Sequence, residues 1–215
     1  MATAAETTRA RRLAGLSGIA VALLFGVGSA IWGLDMPEDG TPVPEVLDFY
    51  RDTADRIVVG GSLSLLAIAA GLFFATAVRQ VLIESGGDDL LATTAFAGAL
   101  LGLAAGLGAE TINMVAALRA RDDELNEALA QSLFEISQIL GSTACAVGLG
   151  VFALATAAVA LRTGAILPRW GAVVTLVAGI LLLTPLSHVN WLAGSLLVLL
   201  FLMIGVLLLR QTRAA

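Results

Sequence analysis

Two glutamates lie within the long apolar part of this chain, and their type and placement make them the residues best suited to chemistry. Glu110 and Glu135 lie on either side of a charged turn, and their midpoint falls at Asp122–Asp123, in the middle of that turn. A tight antiparallel helical hairpin would therefore bring the two carboxylates to the same level. Facing carboxylates in a poorly hydrated site can carry a proton or hold a cation.

Each glutamate belongs to a series of polar or small residues spaced by three and four positions, which keeps them on one face of a helix. The first series is Gly98, Gly102, Gly106, Glu110, Asn113, Ala117, and the second is Gln131, Glu135, Gln138, Ser142, Cys145. The predicted ligand or proton site therefore consists of Glu110, Asn113, Glu135 and Gln138. The alternative is that both glutamates lie in the wet interface and only hydrogen-bond one helix to the other.

Three glycines at Gly-x-x-x-Gly spacing precede Glu110. Gly98, Gly102 and Gly106 carry no Cβ, so a second helix can approach this face closely. We expect the partner to be another helix of the same chain, and self-association into a homo-oligomer remains open.

Three further residues are predicted to contribute to a cap outside the membrane: Arg56, His188 and Asn190. His188 is the only histidine and could accept a proton beside the glutamates, although an interfacial loop histidine without a role is the alternative.

The composition excludes several classes of function. All basic residues are arginines, so no lysine is present to form a Schiff base, and the single cysteine permits neither an intramolecular disulfide nor a Cys-x-x-Cys site. The sequence has no basic stripe of the kind that binds nucleic acid. It also has no recognisable catalytic, phosphate-binding or metal-ligand spacing. We therefore assign no catalytic residue, metal or cofactor, and a non-enzymatic function is favoured over an enzymatic one.

The chain is predicted to be an all-α polytopic membrane protein. It is 58% hydrophobic with a mean hydropathy of +0.93, and apolar runs near the spanning length recur. A single transmembrane domain, 13–210, lies between the tails 1–12 and 211–215. Its six predicted spans are about 13–34, 57–78, 90–118, 128–161, 171–186 and 192–209. The first run could instead be a cleaved signal sequence, with Gly28-Ser29-Ala30 as the cleavage site.

The third and fourth spans are longer than a bilayer requires, which predicts a hairpin that protrudes from the membrane. A short amphipathic helix over residues 45–57 is predicted to lie on the same outer surface and to complete a small cap. Its apolar side comprises Val46, Phe49, Tyr50, Ala54 and Ile57, and its acidic side comprises Asp48, Asp52 and Asp55.

The distribution of arginines predicts that both termini lie in the cytoplasm, because inner segments of membrane proteins are enriched in positive charge. On this orientation the inner segments hold Arg9, Arg11, Arg12, Arg79, Arg162, Arg169, Arg210 and Arg213, and the outer segments hold Arg51, Arg56, Arg119 and Arg121. The exclusive use of arginine is typical of a GC-rich bacterium, so the predicted location is a bacterial plasma membrane.

One segment resembles a known group of proteins. Arg162-Thr163-Gly164-Ala165-Ile166-Leu167-Pro168-Arg169-Trp170-Gly171 is similar to the Leu-Pro-Arg-Trp entry to the penultimate helix of small uncharacterised multi-pass membrane proteins of actinobacteria and other bacteria. Arg12-Leu13-Ala14-Gly15 and Asp48-Phe49-Tyr50-Arg51 are also similar to that group. The resemblance implies a six-helix inner-membrane protein and supplies no activity.

Two functions follow from these observations. The first is a non-enzymatic membrane protein that binds a small or amphipathic ligand, or a membrane-protein partner, in its outward-facing half. The second is a proton- or cation-coupled carrier or sensor that uses Glu110 and Glu135.

Overall fold

The computed structural model describes the backbone of residues 4–38, 40–164, 166–184 and 190–214, and the side chains of 8–38, 40–164, 166–184 and 194–212. Every regular element in these ranges is helical, which confirms the all-α class. The helices are α1 (Ala4–Trp32), α2 (Val43–Glu84), α3 (Asp89–Arg121), α4 (Glu127–Gln138), α5 (Cys145–Thr163), α6 (Arg169–Leu182) and α7 (Asn190–Ala214).

Five helical stretches in the described part of the chain are long and apolar enough to cross a membrane: α1, α2, α3, α7, and the continuous stretch formed by α4 and α5. The helix α6 is apolar but has 14 residues, fewer than the roughly 20 that a perpendicular span requires. The structure therefore has the multi-spanning architecture expected from the sequence, and the fifth of the six predicted spans corresponds to this shorter helix.

Neighbouring helices form a ring in the order α7, α1, α2, α3, α5, α6, with only light contact between α6 and α7. Close approach within the ring takes place at glycines. Gly28 of α1 lies against Gly60 of α2, and Gly15 of α1 lies against Gly205 of α7. Inside the ring, three aromatic rings from α2, α5 and α7 pack together: Phe74, Phe152 and Phe201.

The bundle has two distinct ends, which we name by their connections. The hairpin end carries residues 33–42, which include a short 3₁₀ turn over Gly33–Asp35, and the turn 122–126 between α3 and α4. The terminal end carries the turns 85–88 and 164–168, the start of α1 and the end of α7. At this end Gln211 of α7 donates a hydrogen bond to the carbonyl of Ile166.

The helix α2 corrects one expectation. The amphipathic segment 45–57 is not a separate helix on the membrane surface, because it continues without a break into the second span. The only proline in the helix is Pro44, in the first turn, where the missing N–H costs nothing, and no helix breaker separates it from Ile57. At 1.5 Å per residue, the 42 residues of α2 extend for about 63 Å.

The first turns of α2 and the last turns of α3 pack with α4 to form a cap at the hairpin end. This cap has a hydrophobic core of its own. The apolar side predicted for residues 45–57 is the side that is buried, but it faces α3 and α4 rather than lipid. The buried core comprises Trp32, Val46, Leu47, Phe49, Tyr50, Ala54, Ile57, Ala116, Ala117, Ala120, Leu125, Ala130 and Phe134.

Candidate functional site

Glu110 is a buried acid in the wall of the helical bundle. Glu110 is only 8% exposed, and its Oε2 atom forms no hydrogen bond within the distance limit with any described residue. The buried hydroxyl of Ser64 on α2 lies beside the carboxylate and is placed to donate a hydrogen bond to it. The carboxylate fits here because α2 has a glycine opposite it: a Cβ added to Gly61 would lie 3.5 Å from Oε2.

The neighbouring helix α1 indicates how deep Glu110 lies. From Arg12 to Trp32, α1 covers about 30 Å, the thickness of a hydrocarbon core. A Cβ added to Gly60 would lie 2.6 Å from the indole of Trp32, and one added to Gly28 would lie 3.0 Å from the Ser64 hydroxyl. The level of Ser64 and Glu110 is therefore about one helical turn from the Trp32 level, inside the apolar layer near its hairpin end.

A cavity of about 50 Å³ adjoins Glu110 within the ring of helices. Glu110 is the only charged residue in its wall, and the remaining lining is apolar side chains, glycine and the Cys145 thiol. The lining comes from α1, α2, α3, α5 and α7 and consists of Val21, Ala22, Phe25, Ala67, Ile68, Gly102, Leu103, Gly106, Glu110, Cys145, Leu149, Leu197, Val198 and Phe201.

The open space in this cavity exists partly because Gly106 has no side chain. A Cβ added at Gly106 would have nothing closer than the Cys145 Sγ, at 3.9 Å, and the Ile68 side chain, at 4.0 Å. Water needs roughly 10–15 Å³ of such space per molecule, so the cavity can hold about four heavy atoms.

Asn113 lies one turn beyond Glu110 and joins the cap to the bundle. It is buried, and its side-chain oxygen accepts a hydrogen bond of 2.9 Å from the hydroxyl of Tyr50. The hydroxyl of Ser137 on α4 lies beside that of Tyr50 and donates to the carbonyl of Phe134. A short polar layer therefore separates Glu110 from the apolar core of the cap.

The structure does not bring Glu135 into this buried site. Glu135 is exposed on α4, where it accepts a hydrogen bond of 2.6 Å from Nε2 of Gln131, one turn earlier in the same helix. Gln138 is half-buried, and its Nε2 has no partner among the described residues. The expectation of two carboxylates sharing one dry site is thus corrected: one glutamate is enclosed and the other is exposed on the surface of the bundle.

The physical reason is a π-helical segment, Ile139–Ala144, between α4 and α5. A π-helix bonds each residue five positions along, so the segment takes up one residue more than an α-helix would. One residue corresponds to about 100° of rotation. Residues of α4 therefore do not continue the face of α5: Cys145 lines the cavity, whereas Glu135 faces outward.

The predicted cap contributors lie elsewhere or outside the described residues. Arg56 is half-exposed and forms an ion pair of 2.6 Å with Asp35, so it does not reach Glu110. The prediction for His188, and that for the side chain of Asn190, fall outside the described residues.

The three glycines of the series on α3 have two different roles. A Cβ at Gly98 would lie 2.7 Å from the carbonyl of Gly148 on α5, and one at Gly102 would lie 2.6 Å from the Leu149 side chain. These two glycines therefore permit tight packing of α3 on α5. Gly106, one turn further along, lines the cavity instead.

Two residues of the site carried little signal in the sequence. Ser64 is one small residue in an apolar run, and Tyr50 belongs by its spacing to an apolar face. Only the convergence of α2 on α3 shows that their hydroxyls lie beside Glu110 and Asn113, respectively.

Within the described residues, no group of three His, Cys, Asp or Glu side chains could hold a metal ion. The fold and the site define a multi-pass α-helical membrane protein with an enclosed acid beside an apolar cavity. No protein-family model, no curated protein and no solved structure matches the chain.

Proposed function

We propose that this membrane protein binds a small, mostly apolar ligand in the cavity beside Glu110. The observation that carries the proposal is the cavity itself: five helices surround it, and no side chain fills the space at Gly106. Interiors of folded proteins are normally close-packed, with few voids larger than a water molecule. An apolar cavity with one polar group in its wall has the make-up of a small-molecule site.

The size of the cavity limits the ligand. With room for about four heavy atoms, the site as it stands accepts a molecule such as 1-propanol, and a longer ligand needs the helices to separate. Among the described residues, α6 and α7 make the lightest contact in the ring, so we propose that the ring opens on that side.

Cys145 offers a direct test because it is the only cysteine and its thiol lines the cavity. The rate at which methyl methanethiosulfonate modifies Cys145 can be followed by mass spectrometry on protein in lipid nanodiscs. We expect 1-propanol to slow this reaction at least threefold. The reagent is larger than 1-propanol and enters only when the helices separate, so a modification rate that 1-propanol leaves unchanged would contradict the proposal.

A pair of variants separates cavity binding from a general effect of alcohol on the bilayer. Gly106→Val places its methyl groups in the cavity, whereas Ala104→Val places the same valine side chain on the exposed side of α3. Protection by 1-propanol should persist in Ala104→Val and vanish in Gly106→Val. Equal protection in both variants would show that the alcohol acts through the lipid.

A proton- or cation-coupled carrier is the second function considered. The burial of Glu110 favours it, but the exposed Glu135 gives no support to a mechanism that uses both carboxylates. We further propose a bacterial plasma membrane with both termini in the cytoplasm, on the basis of the arginine distribution, and membership of the small multi-pass group that the chain resembles.

A further inference from the structure

We propose that the terminal end of the bundle binds the headgroup of an anionic phospholipid at three arginines, Arg162, Arg169 and Arg210. This site lies away from the Glu110 cavity and is independent of the function proposed for it. The inference comes from a contrast between the two ends of the bundle in how their arginines are neutralised.

The three arginines lie around the turn between α5 and α6. At this turn, Nε2 of Gln211 on α7 donates a hydrogen bond of 2.8 Å to the carbonyl of Ile166. Arg210 directly precedes Gln211. Arg162 lies in the last turn of α5, and Arg169 is the first residue of α6. All three arginines are exposed, and each lies within four residues of this hydrogen bond along the chain.

The backbone that carries these arginines is firmly packed. Ile166 and Leu167 of the turn are each 1% exposed. A Cβ added to Gly171 of α6 would lie 3.2 Å from the Leu207 side chain of α7. The start of α6 and the end of α7 therefore touch beside the turn, so the three exposed side chains extend from a fixed base.

The protein supplies little negative charge near these arginines. No aspartate or glutamate follows Glu135 in the sequence, so α5, α6 and α7 contain no acidic residue. In the turn between α2 and α3, Asp89 already forms an ion pair of 3.3 Å with Arg79. Among the described residues, no ion pair includes any of the three arginines. An anion that neutralises them must therefore come from outside this part of the chain.

The arginines of the hairpin end have partners within the protein. Arg56 forms an ion pair of 2.6 Å with Asp35, and Arg121 forms one of 3.7 Å with Asp55. The cap therefore supplies its own counter-charge, and the terminal end does not.

The position of the arginines favours a lipid as the source of the anion. Arg169 stands at the start of the apolar helix α6, and Arg210 follows the apolar part of α7, so both lie at the edge of the hydrocarbon layer. Phospholipid phosphates lie at the same level, and a guanidinium group can bind a phosphate through two parallel hydrogen bonds. A zwitterionic headgroup carries its own ammonium group, so an anionic headgroup is the better match.

An exposed apolar face of α6 continues from Arg169 into the membrane. Trp170, Val173, Val174 and Val177 are all exposed, and their spacing keeps them on one face of the helix. Tryptophan is typical of the membrane interface, and the valines can contact an acyl chain. A lipid with its headgroup at Arg169 can therefore extend a chain along this face, which a soluble phosphate cannot do.

Native mass spectrometry of the full chain, released from detergent micelles, measures how tightly each lipid is bound. Dioleoylphosphatidylglycerol and dioleoylphosphatidylcholine have the same acyl chains and one phosphate each, but only the first has a net negative charge. We expect wild-type protein to bind phosphatidylglycerol about tenfold more tightly, since each arginine beside an anionic headgroup contributes a factor of up to about five. Equal binding of the two lipids would overturn the proposal.

Two double variants that remove the same amount of charge locate the site. With Arg169→Gln and Arg210→Gln combined, one arginine of the three remains, and the preference for phosphatidylglycerol should fall about fivefold. Arg51→Gln combined with Arg119→Gln makes the same change at exposed positions of the hairpin end, and the preference should stay at the wild-type value. An equal effect of the two double variants would overturn the proposal.

Competition and subunit number test the other occupants. Glycerol 3-phosphate carries the phosphate without acyl chains, and an excess of it should leave phosphatidylglycerol bound. Displacement of the lipid by an equal concentration of glycerol 3-phosphate would assign the site to soluble phosphates and overturn the choice of a lipid. A wild-type dimer that is lost when Arg169 and Arg210 are replaced would assign the site to a second copy of the chain, which would also overturn it.

Discussion

The hydroxyl of Tyr50 and the side-chain oxygen of Asn113 are joined by a hydrogen bond of 2.9 Å, and both residues are buried. The hydrogen bond joins the first turns of α2 to α3 at the level where the cap meets the bundle. It satisfies a polar oxygen that would otherwise be enclosed without a donor.

Tyr50→Phe should destabilise the protein by about 1–3 kcal/mol, because it removes the donor and leaves the Asn113 oxygen buried and unsatisfied. The measurement is the free energy of unfolding in mixed micelles titrated with SDS. The exposed Thr111→Val, on the same helix, serves as the control and should change stability by less than about 0.5 kcal/mol. A Tyr50→Phe protein as stable as wild type would mean that water replaces the lost donor.

Two glycine-to-alanine changes should shift stability in opposite directions. In Gly148→Ala the new Cβ would collide with the backbone nitrogen of Gly102, so α3 and α5 must separate, at a cost of about 1–3 kcal/mol. In Gly106→Ala the new Cβ meets nothing within 3.8 Å, since its nearest neighbour is the Cys145 Sγ at 3.9 Å. An alanine within a helix stabilises by roughly 0.5–1 kcal/mol relative to glycine. Melting temperatures in one detergent compare the two, and equal effects would contradict the close contact at Gly148.

Glu135→Gln should leave stability within about 0.5 kcal/mol of wild type between pH 5 and pH 8, because Glu135 is exposed and its hydrogen bond within the described residues is to Gln131 on its own helix. Thermal unfolding across that pH range provides the measurement. A clear change in the melting profile would show that Glu135 interacts with a buried group.

Both ends of the chain are predicted to face the cytoplasm. A reporter active only in the cytoplasm should be active when fused after Ala215, and inactive when inserted between Pro37 and Thr41 at the hairpin end. The reverse pattern would invert the orientation of the bundle and place the cap inside the cell.

The all-α class, the multi-spanning character and the buried side of residues 45–57 could be read from the sequence, because they depend on hydropathy and on spacing within one helix. Phe49 and Tyr50 are buried and Asp48 is exposed, as the spacing predicted. The sequence did not indicate what covers that side. An amphipathic stretch has the same pattern whether its apolar face meets lipid or a protein core.

The pairing of Glu110 with Glu135 could not be predicted correctly, because it assumed one regular helix from Gln131 to Cys145. The π-helical segment Ile139–Ala144 changes the phase between the two ends of that stretch. Gly141, Ser142 and Thr143 are weaker helix formers than their neighbours, but low propensity alone does not reveal a π turn. The cavity was equally hidden, since it depends on how five separate helices converge around Gly106.

The unbroken length of α2 gives the molecule a rigid lever through the membrane. Its first turns form the cap, Gly61 and Ser64 pass beside Glu110, and its last residues reach the opposite end of the bundle. If α2 pivots at Gly61 by about 5°, its two ends move by about 2–3 Å in opposite directions, given 1.5 Å of rise per residue. A ligand that displaces α2 at Glu110 would therefore move surfaces on both sides of the bilayer at once.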